Sequence, residues 1–562
     1  MFQWFRLRRG RWLAGWVLGL LALWPAWAQG TGALATAHPL ATETGRHILA
    51  EGGNAFDAAV AVAAVLAVVE PYSSGLGGGG FFLLHRAADG RQVFLDARET
   101  APSAASVSRY LDARGRPLPR ATTEGARAAA IPGLPAALVH LARHYGRLPL
   151  ARTLAPAIAF ARDGFPVDER YRTMAKVRFA CLHGQEEAAA QFLDDGAVPA
   201  AGTRLRQPAL ARTLESLARQ GRSGFYRGPV AREMVMAVRR AGGFWHLRDL
   251  AAYRVQERSP LVFAYRGMRI VTAPPPSAGG VALAQSLTML ERFDLKGAGE
   301  AQRMHWVVEA LRRAYHDRRF LGDPDFIAMP LRRLMDPAYL AARGAEIDDA
   351  RATASDDLDA APLAGGGHHT THFSIVDGEG NRVAATLSIN LPFGACFVAG
   401  RTGVLLNSEM DDFSLGPGRP NAYGLAGGRA NLLAPGRRPL SSMSPTFVED
   451  ARGVLVLGTP GGSRIISMVL LAILRYAGAP AVNLDELVRA PRYHHQYRPD
   501  RIEVEPEGFA QEVLDDLTLR GHLVQVTERK WGNMQVVWLD RRSGRALAAS
   551  DPRGQGSGLA WY

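Results

Sequence analysis

The chain has 562 residues, of which 47% are hydrophobic and 21% are charged, as in ordinary soluble globular proteins. Its formal charge of +13 arises from 66 basic and 53 acidic residues, but the basic residues are scattered and almost all are arginines. Because no basic run marks a nucleic-acid-binding surface, the composition argues against a nucleic-acid partner. The length permits two or more units with cores of their own.

The first 28 residues have the three parts of a secretory signal peptide. Arginines stand near the start, an apolar core follows at Trp12–Trp24, and Ala26-Trp27-Ala28 provides a small-x-small cleavage site. The apolar core is too short to span a bilayer comfortably. We therefore expect a periplasmic or secreted protein from which residues 1–28 are removed. Retention of this segment as a membrane anchor is the alternative.

The first part of the mature chain predicts two helices and a pair of strands. Ala35–Gly52 and Asn54–Glu70 have helical patterns, and the second is apolar nearly all round, which indicates a buried helix. Gly77–Gly80 follows without the Lys-Ser or Lys-Thr of a phosphate-binding loop. We therefore expect the backbone to pass close to another segment there. Phe81–His85 and Gln92–Leu95 then predict two short strands.

Helical patterns dominate from Ile131 to about Leu340, with one candidate strand at Val262–Val271. The predicted helices are Pro135–Tyr145, Leu150–Arg162, Gln207–Arg219, Ala282–Phe293 and Met304–Phe320. The segment 351–367 that follows is polar and rich in Asp and Gly, and we expect it to be mobile.

A hairpin is predicted around Thr370, from the strand patterns of His368–Asp377 and Arg382–Asn390 with a Gly-containing turn between them. The flexible segment Gly365–Gly367 lies directly upstream. Cleavage immediately before Thr370 would leave an N-terminal threonine that carries both a hydroxyl nucleophile and its own α-amine as base. A threonine in a strand is more often only a good strand former, so this pattern alone does not establish a nucleophile.

Beyond the hairpin the chain is rich in strands. One apolar helix is predicted at Ile465–Ala477, and further strands are predicted at Arg501–Val504, Val524–Thr527 and Met534–Leu539. Strands with helices outside them predict an α/β fold in a layered α/β/β/α arrangement.

The cysteines and histidines indicate neither a disulfide framework nor a metal site. Two cysteines, Cys181 and Cys396, are too few to organise the fold, and we expect buried free thiols, although a bond is conceivable in an oxidising compartment. Histidines cluster at 368, 369 and 372 and again at 494 and 495, but neither cluster has the ligand spacing of a zinc site. The sequence therefore predicts no metal and no cofactor.

A set of short motifs follows in order along nearly the whole mature chain. They are Gly75–Gly80, Asp96–Glu99, Pro274–Ser277, Leu321–Asp325, Thr370–Asp377, Asn407–Ser414, Pro439–Thr446, Thr459–Arg464 and Ala549–Arg553. Together these motifs resemble the γ-glutamyltranspeptidase family. Their number and their order argue against a chance resemblance.

The resemblance implies both the fold and the processing of the chain. The fold would be the four-layer α/β/β/α sandwich of N-terminal-nucleophile hydrolases. Autocleavage between His369 and Thr370 would give a large subunit, residues 29–369, and a small subunit, residues 370–562. Both subunits would build one compact domain.

The resemblance also implies the roles of individual residues. Thr370 matches the nucleophile, and Gly461 and Gly462 match the glycines whose N–H groups stabilise the oxyanion. The matches that concern the substrate are Arg98, Ser441 and Ser442 for an α-carboxylate, and Asn390, Glu409 and Asp412 for an α-ammonium group. Without the resemblance, Arg98 and Asp412 would be interpreted as surface ion-pair residues.

Two positions depart from the family pattern, and one loop follows it. Ser388 stands where the family commonly has Thr, so the hydroxyl is kept while the lost methyl would loosen the alignment of Thr370. Glu409 stands where some members have Gln, and an additional acidic group still suits an ammonium ion. Pro417–Gly428, with Tyr423, resembles the lid loop of many bacterial members and predicts a covered donor pocket.

The activity implied by the resemblance is that of a self-processing γ-glutamyltransferase and glutathione hydrolase. Its substrates would be glutathione and other γ-glutamyl compounds, and its acceptors would be water, amino acids or dipeptides. One alternative is a cephalosporin (glutaryl) acylase of the same superfamily, against which the intact ammonium-binding positions argue. The other is a non-catalytic periplasmic amino-acid-binding protein, against which Thr370 and the two glycines argue.

Overall fold

The computed structural model describes residues 32–358, 370–425 and 427–561. The predicted signal peptide, His369 and the part of the polar segment from 359 to 367 lie outside the described residues. Within the described ranges, no helix is both long enough and apolar enough to cross a membrane.

The strands belong mainly to two antiparallel sheets. In chain order they are β1 (Gly32–Thr36), β2 (Gly79–Arg86), β3 (Arg91–Ala97), β4 (Phe165–Pro166), β5 (Arg204–Leu205), β6 (Gln256–Arg258), β7 (Leu261–Tyr265), β8 (Met268–Thr272), β9 (Thr371–Val376), β10 (Arg382–Ser388), β11 (Thr446–Glu449), β12 (Gly453–Gly458), β13 (Tyr493–His494), β14 (Ile502–Val504), β15 (Val524–Val526), β16 (Gln535–Asp540), β17 (Ala546–Ser550) and β18 (Ser557–Trp561). The first sheet has the order β18-β1-β9-β10-β2-β3-β6, and the second has the order β17-β16-β12-β11-β8-β7.

The helices are packed outside these sheets. They are α1 (Pro39–Ala50), α2 (Ala55–Val69), α3 (Leu134–His144), α4 (Leu150–Asp163), α5 (Glu169–Val177), α6 (Phe179–His183), α7 (Glu186–Phe192), α8 (Pro208–Gln220), α9 (Ser223–Tyr226), α10 (Gly228–Arg240), α11 (Leu247–Ala252), α12 (Gly279–Leu290), α13 (Glu300–Asp317), α14 (Leu331–Leu334), α15 (Pro337–Ala345), α16 (Ser355–Leu358), α17 (Ile465–Gly478), α18 (Leu484–Arg489) and α19 (Gln511–Leu519).

The two large sheets pack face to face through small and branched apolar side chains. Ala33 and Ala384 of the first sheet are in one buried cluster with Val456 and Val537 of the second. The outer face of the first sheet is covered by α1, α2 and α3, and that of the second by α12, α17 and α18. The predicted four-layer α/β/β/α arrangement is therefore confirmed.

The hairpin of β9 and β10 lies at the centre of the first sheet. Because side chains alternate along a strand, Phe373 and Ile375 join the core around α2, whereas Ser374 faces the second sheet and donates to the Gln535 carbonyl at 3.0 Å. At the far end of β9 the Asp377 carboxylate accepts a hydrogen bond of 2.8 Å from Ala55 N–H in the first turn of α2. Strand β9, which directly follows Thr370, is thus held on both faces.

The structure corrects two of the predicted elements. The predicted helix from Ala35 is a strand up to Thr36 followed by α1, which begins at Pro39, a residue that favours the first turn of a helix. Val262–Val271 is a hairpin, because Arg266 and Gly267 both adopt positive φ (47° and 78°) and form a tight turn between β7 and β8.

The prediction of two free thiols is wrong, since Cys181 and Cys396 form a disulfide with 5.9 Å between their Cα atoms. Cys396 lies in the loop after β10, and the Arg178 guanidinium, just before α6, donates to the Pro392 and Gly394 carbonyls of that loop at 3.1 and 3.2 Å. These contacts bring the two sulfur atoms together although 215 residues separate them in sequence.

Candidate active site

Thr370 lines a small cavity between the two sheets, named here the Thr370 cavity. Most of the residues that the sequence predicted for the site also line it. Those residues are Arg98, Ser388, Asn390, Asp412, Tyr423, Ser441, Ser442 and Gly462. Glu409 lies fully buried behind Arg98, and Gly461 lines an adjoining cleft of about 330 Å³ that also reaches Thr370. The structure therefore brings all the predicted site residues that it describes to one place.

The pairing of β9 with β10 sets the position of Thr370. Leu387 pairs with Thr371. Because the strands are antiparallel, Ser388, which follows Leu387, lies opposite Thr370, which precedes Thr371. The Ser388 hydroxyl accepts a hydrogen bond of 2.8 Å from the backbone N–H of Asn390. Ser388 thus connects the predicted nucleophile to a predicted ammonium-binding residue.

The glycine run Gly77–Gly80, which follows α2, lies against the backbone at the end of β10 and in the segment beyond it. A Cβ on Gly78 would lie 2.2 Å from the Ser388 carbonyl oxygen, and one on Gly77 would lie 1.9 Å from the Leu405 carbonyl oxygen. Only glycine permits these contacts, so the predicted close approach of the backbone is confirmed.

Gly461 and Gly462 form the turn between β12 and the single 3₁₀ turn that leads into α17. Gly461 has φ 147° and Gly462 has φ 56°, and a Cβ on Gly462 would lie 2.5 Å from the Tyr423 ring. Backbone N–H groups at the entrance of a helix carry partial positive charge. This turn can therefore stabilise an oxyanion that forms beside Thr370.

Arg98 is the centre of a buried ion-pair cluster with Glu99, Glu409 and Asp412, named here the Arg98 cluster. Its guanidinium lies 2.8 Å from Glu409 and 3.6 Å from Glu99, forms a further ion pair with Asp412, and donates to the Pro439 carbonyl at 3.2 Å. The interpretation of Arg98 and Asp412 as surface residues is therefore wrong for Arg98, which is fully buried.

The Arg98 cluster contains more carboxylates than cations. Burial raises the pKa of Glu99 to about 7, partly opposed by Arg98. Burial also raises the pKa of Glu409 well above its ordinary value, and the nearby carboxylates Glu99 and Asp412 act in the same direction. A ligand that brings a positive charge next to Asp412 would relieve this excess of acidic groups.

Asn390 and the lid loop complete the wall around Asp412. Asn390 adopts φ 71° and donates its side-chain N–H to the Ser408 carbonyl at 2.8 Å, which leaves the amide oxygen as an acceptor. In the loop Pro417–Gly428, Asn421 donates to Asp412 at 2.9 Å, and the Tyr423 hydroxyl donates to the Asn390 carbonyl at 2.8 Å. The loop therefore covers the cavity on the side of the Arg98 cluster.

Ser441 and Ser442 also line the cavity. The Pro274–Ser277 motif holds their backbone, because Ser441 N–H donates to the Pro276 carbonyl at 2.8 Å. The Leu321–Asp325 motif holds the segment before them, since Asp323 accepts from Arg438 N–H at 2.7 Å. The Ser442 hydroxyl is buried and has no hydrogen-bond partner among the described residues. It is thus available to a ligand in the cavity.

Three of the clustered histidines are buried and contact neighbouring polar side chains, whereas His368 and His369 lie outside the described residues. His372 is buried between Thr386 and Ser374, and burial lowers its pKa to about 3, so it is neutral at pH 7. His494 contacts Ser467 and Gln496, whereas His495 contacts Asp500. Among the described residues, no group of three or more His, Cys, Asp or Glu side chains is placed to hold a metal ion.

Sequence reasoning missed two polar residues beside Thr370. Glu70, at the C-terminal end of α2, accepts a hydrogen bond of 2.8 Å from the Thr371 hydroxyl and thereby holds the first residue of β9. Arg318 lines the Thr370 cavity from the turn that follows α13. Each is one polar residue at the end of a predicted helix, and no pattern in the sequence distinguishes it from its neighbours.

The chain is similar to known proteins along nearly its whole length. The family model described as gamma-glutamyltranspeptidase matches residues 41–561. The glutathione hydrolase proenzyme of Escherichia coli K12 is 41% identical over 528 residues, which cover 93% of this chain and 90% of that protein.

Solved structures show the same fold. The cephalosporin acylase of Bacillus halodurans superposes with a TM-score of 0.83 and 28% identity over 95% of this chain and 96% of its own. The γ-glutamyltranspeptidase of Helicobacter pylori superposes with a TM-score of 0.55 and 36% identity over 56% of this chain and 92% of the solved chain. From the matching family model and the extent of the identity, we conclude that this chain belongs to the γ-glutamyltranspeptidase family of enzymes.

Proposed function

We propose that this enzyme cleaves itself before Thr370 and then transfers γ-glutamyl groups from glutathione and related compounds to water, amino acids or dipeptides. The observation that carries the proposal is the position of Thr370. Thr370 lines the same cavity as a glycine turn that can stabilise an oxyanion. The Arg98 cluster, whose charged groups can bind a free α-amino acid group, lies at the same cavity.

Maturation and turnover would use the same hydroxyl group. In the precursor, the Thr370 hydroxyl attacks the His369 carbonyl, and hydrolysis of the resulting ester separates the two subunits. The new α-amine of Thr370 then accepts the proton of its own hydroxyl during catalysis. Thr371, held by Glu70, and Ser388, opposite Thr370, keep the nucleophile in place.

In the first half of turnover, Thr370 Oγ attacks the γ-carbonyl carbon of the donor. Negative charge develops on the carbonyl oxygen, and the N–H groups at Gly461 and Gly462 stabilise it. Collapse of this intermediate breaks the amide bond, and the leaving amine takes the proton from the Thr370 α-amine. Water or an acceptor amine then attacks the γ-glutamyl ester, returns a proton to the hydroxyl of Thr370 and releases the product.

The donor would be held by its α-amino acid end. Asn390, Glu409 and Asp412 provide acceptors for the ammonium group, which adds the positive charge that the Arg98 cluster lacks. Ser441 and Ser442, with Arg98, provide donors for the α-carboxylate. Tyr423 closes the cavity from the lid loop by its hydrogen bond to Asn390.

The acylase alternative is supported by the similarity to the cephalosporin acylase of Bacillus halodurans. A glutaryl group has no amine, however, and would leave the three acidic side chains around Arg98 without a further cation. The γ-glutamyl donor is therefore the better match. A non-catalytic binding protein is excluded by membership of an enzyme family.

Product analysis with glutathione, with and without a dipeptide acceptor, tests the proposed γ-glutamyl transfer and hydrolysis directly.

The disulfide supports export of the enzyme. Disulfides persist in oxidising compartments and are rare in the reducing cytosol. Because Cys181 and Cys396 would belong to different subunits after cleavage, the bond would also connect the large and small subunits covalently. We propose that the mature protein is periplasmic or secreted, without residues 1–28.

The first prediction concerns maturation. The small subunit should run from Thr370 to Tyr562, and N-terminal sequencing should therefore begin at Thr370. Thr370→Ala should remain one chain without activity, because cleavage and turnover lose the same nucleophile. A different N-terminal residue in the small subunit would contradict the assignment.

The disulfide provides a control for this experiment. On a denaturing gel, the mature wild-type protein should migrate as one band without reductant and as two bands with reductant. The Cys396→Ser protein should give two bands in both conditions. The uncut Thr370→Ala protein should give one band throughout.

The second prediction concerns Ser388. Ser388→Ala leaves the Asn390 N–H without its acceptor, a loss of about 1–3 kcal/mol for a buried group, so turnover or maturation should slow by roughly 5- to 100-fold. Ser388→Thr keeps the hydroxyl and should be tolerated. The rate of precursor cleavage and kcat/KM measure the two effects. Wild-type behaviour of Ser388→Ala in both would show that Ser388 has no such role.

The third prediction separates γ-glutamyl from glutaryl recognition. Removal of one partner of a buried charge pair typically costs ~2–5 kcal/mol, so Asp412→Ala should lower kcat/KM for a γ-glutamyl anilide by roughly 30-fold or more. The slower hydrolysis of a glutaryl anilide should change far less, because that substrate has no ammonium group.

Asp411 offers a matched control, since its carboxylate accepts from Thr122 and from Ala422 N–H in the lid loop. Asp411→Ala should affect both anilides equally. If Asp412→Ala lowered kcat/KM equally for the γ-glutamyl and the glutaryl anilide, Asp412 would maintain the structure of the site without binding the ammonium group. A wild-type preference for the glutaryl anilide would favour the acylase alternative.

A further inference from the structure

Glu70 is a buried acid that lies beside Thr370 and has hydroxyl groups as its side-chain partners. It caps the C-terminal end of α2, only 3% of its surface is exposed, and it lines the cleft that also reaches Thr370 and Gly461. It forms no ion pair with any residue in the described ranges. A carboxylate is unfavourable both in a buried place and at the negative end of a helix dipole. A positive charge that arises beside Glu70 would therefore stabilise its ionised form.

Two hydrogen bonds hold the Glu70 carboxylate at the start of β9. The Thr371 hydroxyl donates to one oxygen at 2.8 Å, and the Tyr72 hydroxyl donates to the other at 3.2 Å. Each oxygen of a carboxylate can accept more than one hydrogen bond, so both keep the capacity to accept another. Thr371 directly follows Thr370, whose backbone nitrogen becomes the α-amine after cleavage. The carboxylate is thus held one residue away from the place where a new amine forms.

The charged groups nearest to Glu70 do not neutralise it. Burial raises the pKa of Glu70, whereas His38, Arg170 and the hydrogen bond from Thr371 act in the opposite direction. His38 lies 3.4 Å from Asp168, and Asp168 raises the pKa of Glu70 further. Neither His38 nor Arg170 forms an ion pair with Glu70.

The remaining charged groups of the cleft are paired with other acids or are exposed. Arg464 and Arg501 each donate to Glu503 at 2.9 Å, and Arg553 lies 2.6 Å from Glu505. Glu528, Arg529 and Lys530 are exposed. The Arg98 cluster and Arg318 lie at the Thr370 cavity. The α-amine of Thr370 is therefore the cationic group best placed to pair with Glu70.

We propose that Glu70 is the counter-ion of the α-ammonium group that forms on Thr370 during catalysis. This assignment rests on the proposed function. The proton of Thr370 Oγ moves to the α-amine and from there to the leaving amine, while Glu70 stays ionised throughout. An anion beside the amine raises its affinity for a proton and stabilises the ammonium group. Glu70 acts on the reaction through the α-amine and is in this sense a positioning residue.

The test is the dependence of kcat/KM on pH with γ-glutamyl anilide, because its fall at acid pH reports groups of the free enzyme that must be deprotonated. Glu70→Gln keeps an oxygen that can accept from Thr371 but removes the negative charge. The pKa of the α-amine should then fall, so the pH of half-maximal kcat/KM on the acid side should move down by about one unit. The maximum should fall by up to roughly tenfold, because a weaker base takes the hydroxyl proton less readily.

Thr371→Val makes the complementary change, since it removes the hydrogen bond and keeps the charge of Glu70. It should lower the maximum of kcat/KM without moving the pH of half-maximal activity. The Arg98 cluster also titrates, but it is the same in all of these variants and does not contribute to the difference between them.

Glu528 provides the matched control, because it is an exposed acid of the same cleft. Glu528→Gln should leave the pH of half-maximal kcat/KM within about 0.2 unit of wild type, since solvent screens its charge. If the Glu70→Gln precursor is not cleaved, Glu70→Asp, which keeps the charge, should be cleaved and should titrate like wild type. Failure of both variants to be cleaved would show that the shape of Glu70 matters and would overturn the proposal.

A wild-type pH profile for Glu70→Gln, or a shift to higher pH, would also overturn the assignment of Glu70. An equal downward shift in Thr371→Val would do the same, because it would trace the effect to the hydrogen bond instead of the charge. Lack of turnover of γ-glutamyl anilide by the wild-type enzyme would instead contradict the proposed function, so the two failures can be told apart.

Discussion

The antiparallel pairing of β9 with β10 is the interaction on which the site depends. Its register places Ser388 opposite Thr370 and carries the chain on to Asn390, so the predicted nucleophile and the donor-binding wall belong to one hairpin. The hairpin is held by α2 on one face and by the second sheet on the other. A slip of one residue would turn Phe373 and Ile375 out of the core, so packing strongly specifies this register.

The second constraint is charge balance in a buried cavity. Three acidic side chains, Glu99, Glu409 and Asp412, surround the single guanidinium of Arg98. A ligand that brings an ammonium group next to Asp412 would offset this excess of acidic groups. This charge balance supports the proposal that the donor carries a free ammonium group, as a γ-glutamyl group does and a glutaryl group does not.

The sequence predicted the layers and most of the residues that the structure brings together around Thr370, but not the ion pairs between them. Helix α2 and the hairpin could be predicted because their apolar patterns are strong, and the site residues could be predicted from short ordered motifs. The β7–β8 turn was missed because an Arg-Gly pair with positive φ is a weak signal. The disulfide and Arg318 were missed because both depend on contacts between distant segments, which one sequence does not reveal.

The proposed role of Thr370 is to carry the γ-glutamyl group during turnover. Acid quenching during steady-state reaction with a γ-glutamyl donor, followed by peptide mapping of the small subunit, tests it most directly. We predict that the mass of one γ-glutamyl group is added to the peptide that begins with Thr370. A γ-glutamyl group on any other residue, or hydrolysis by the Thr370→Ala protein at the wild-type rate, would contradict the claim.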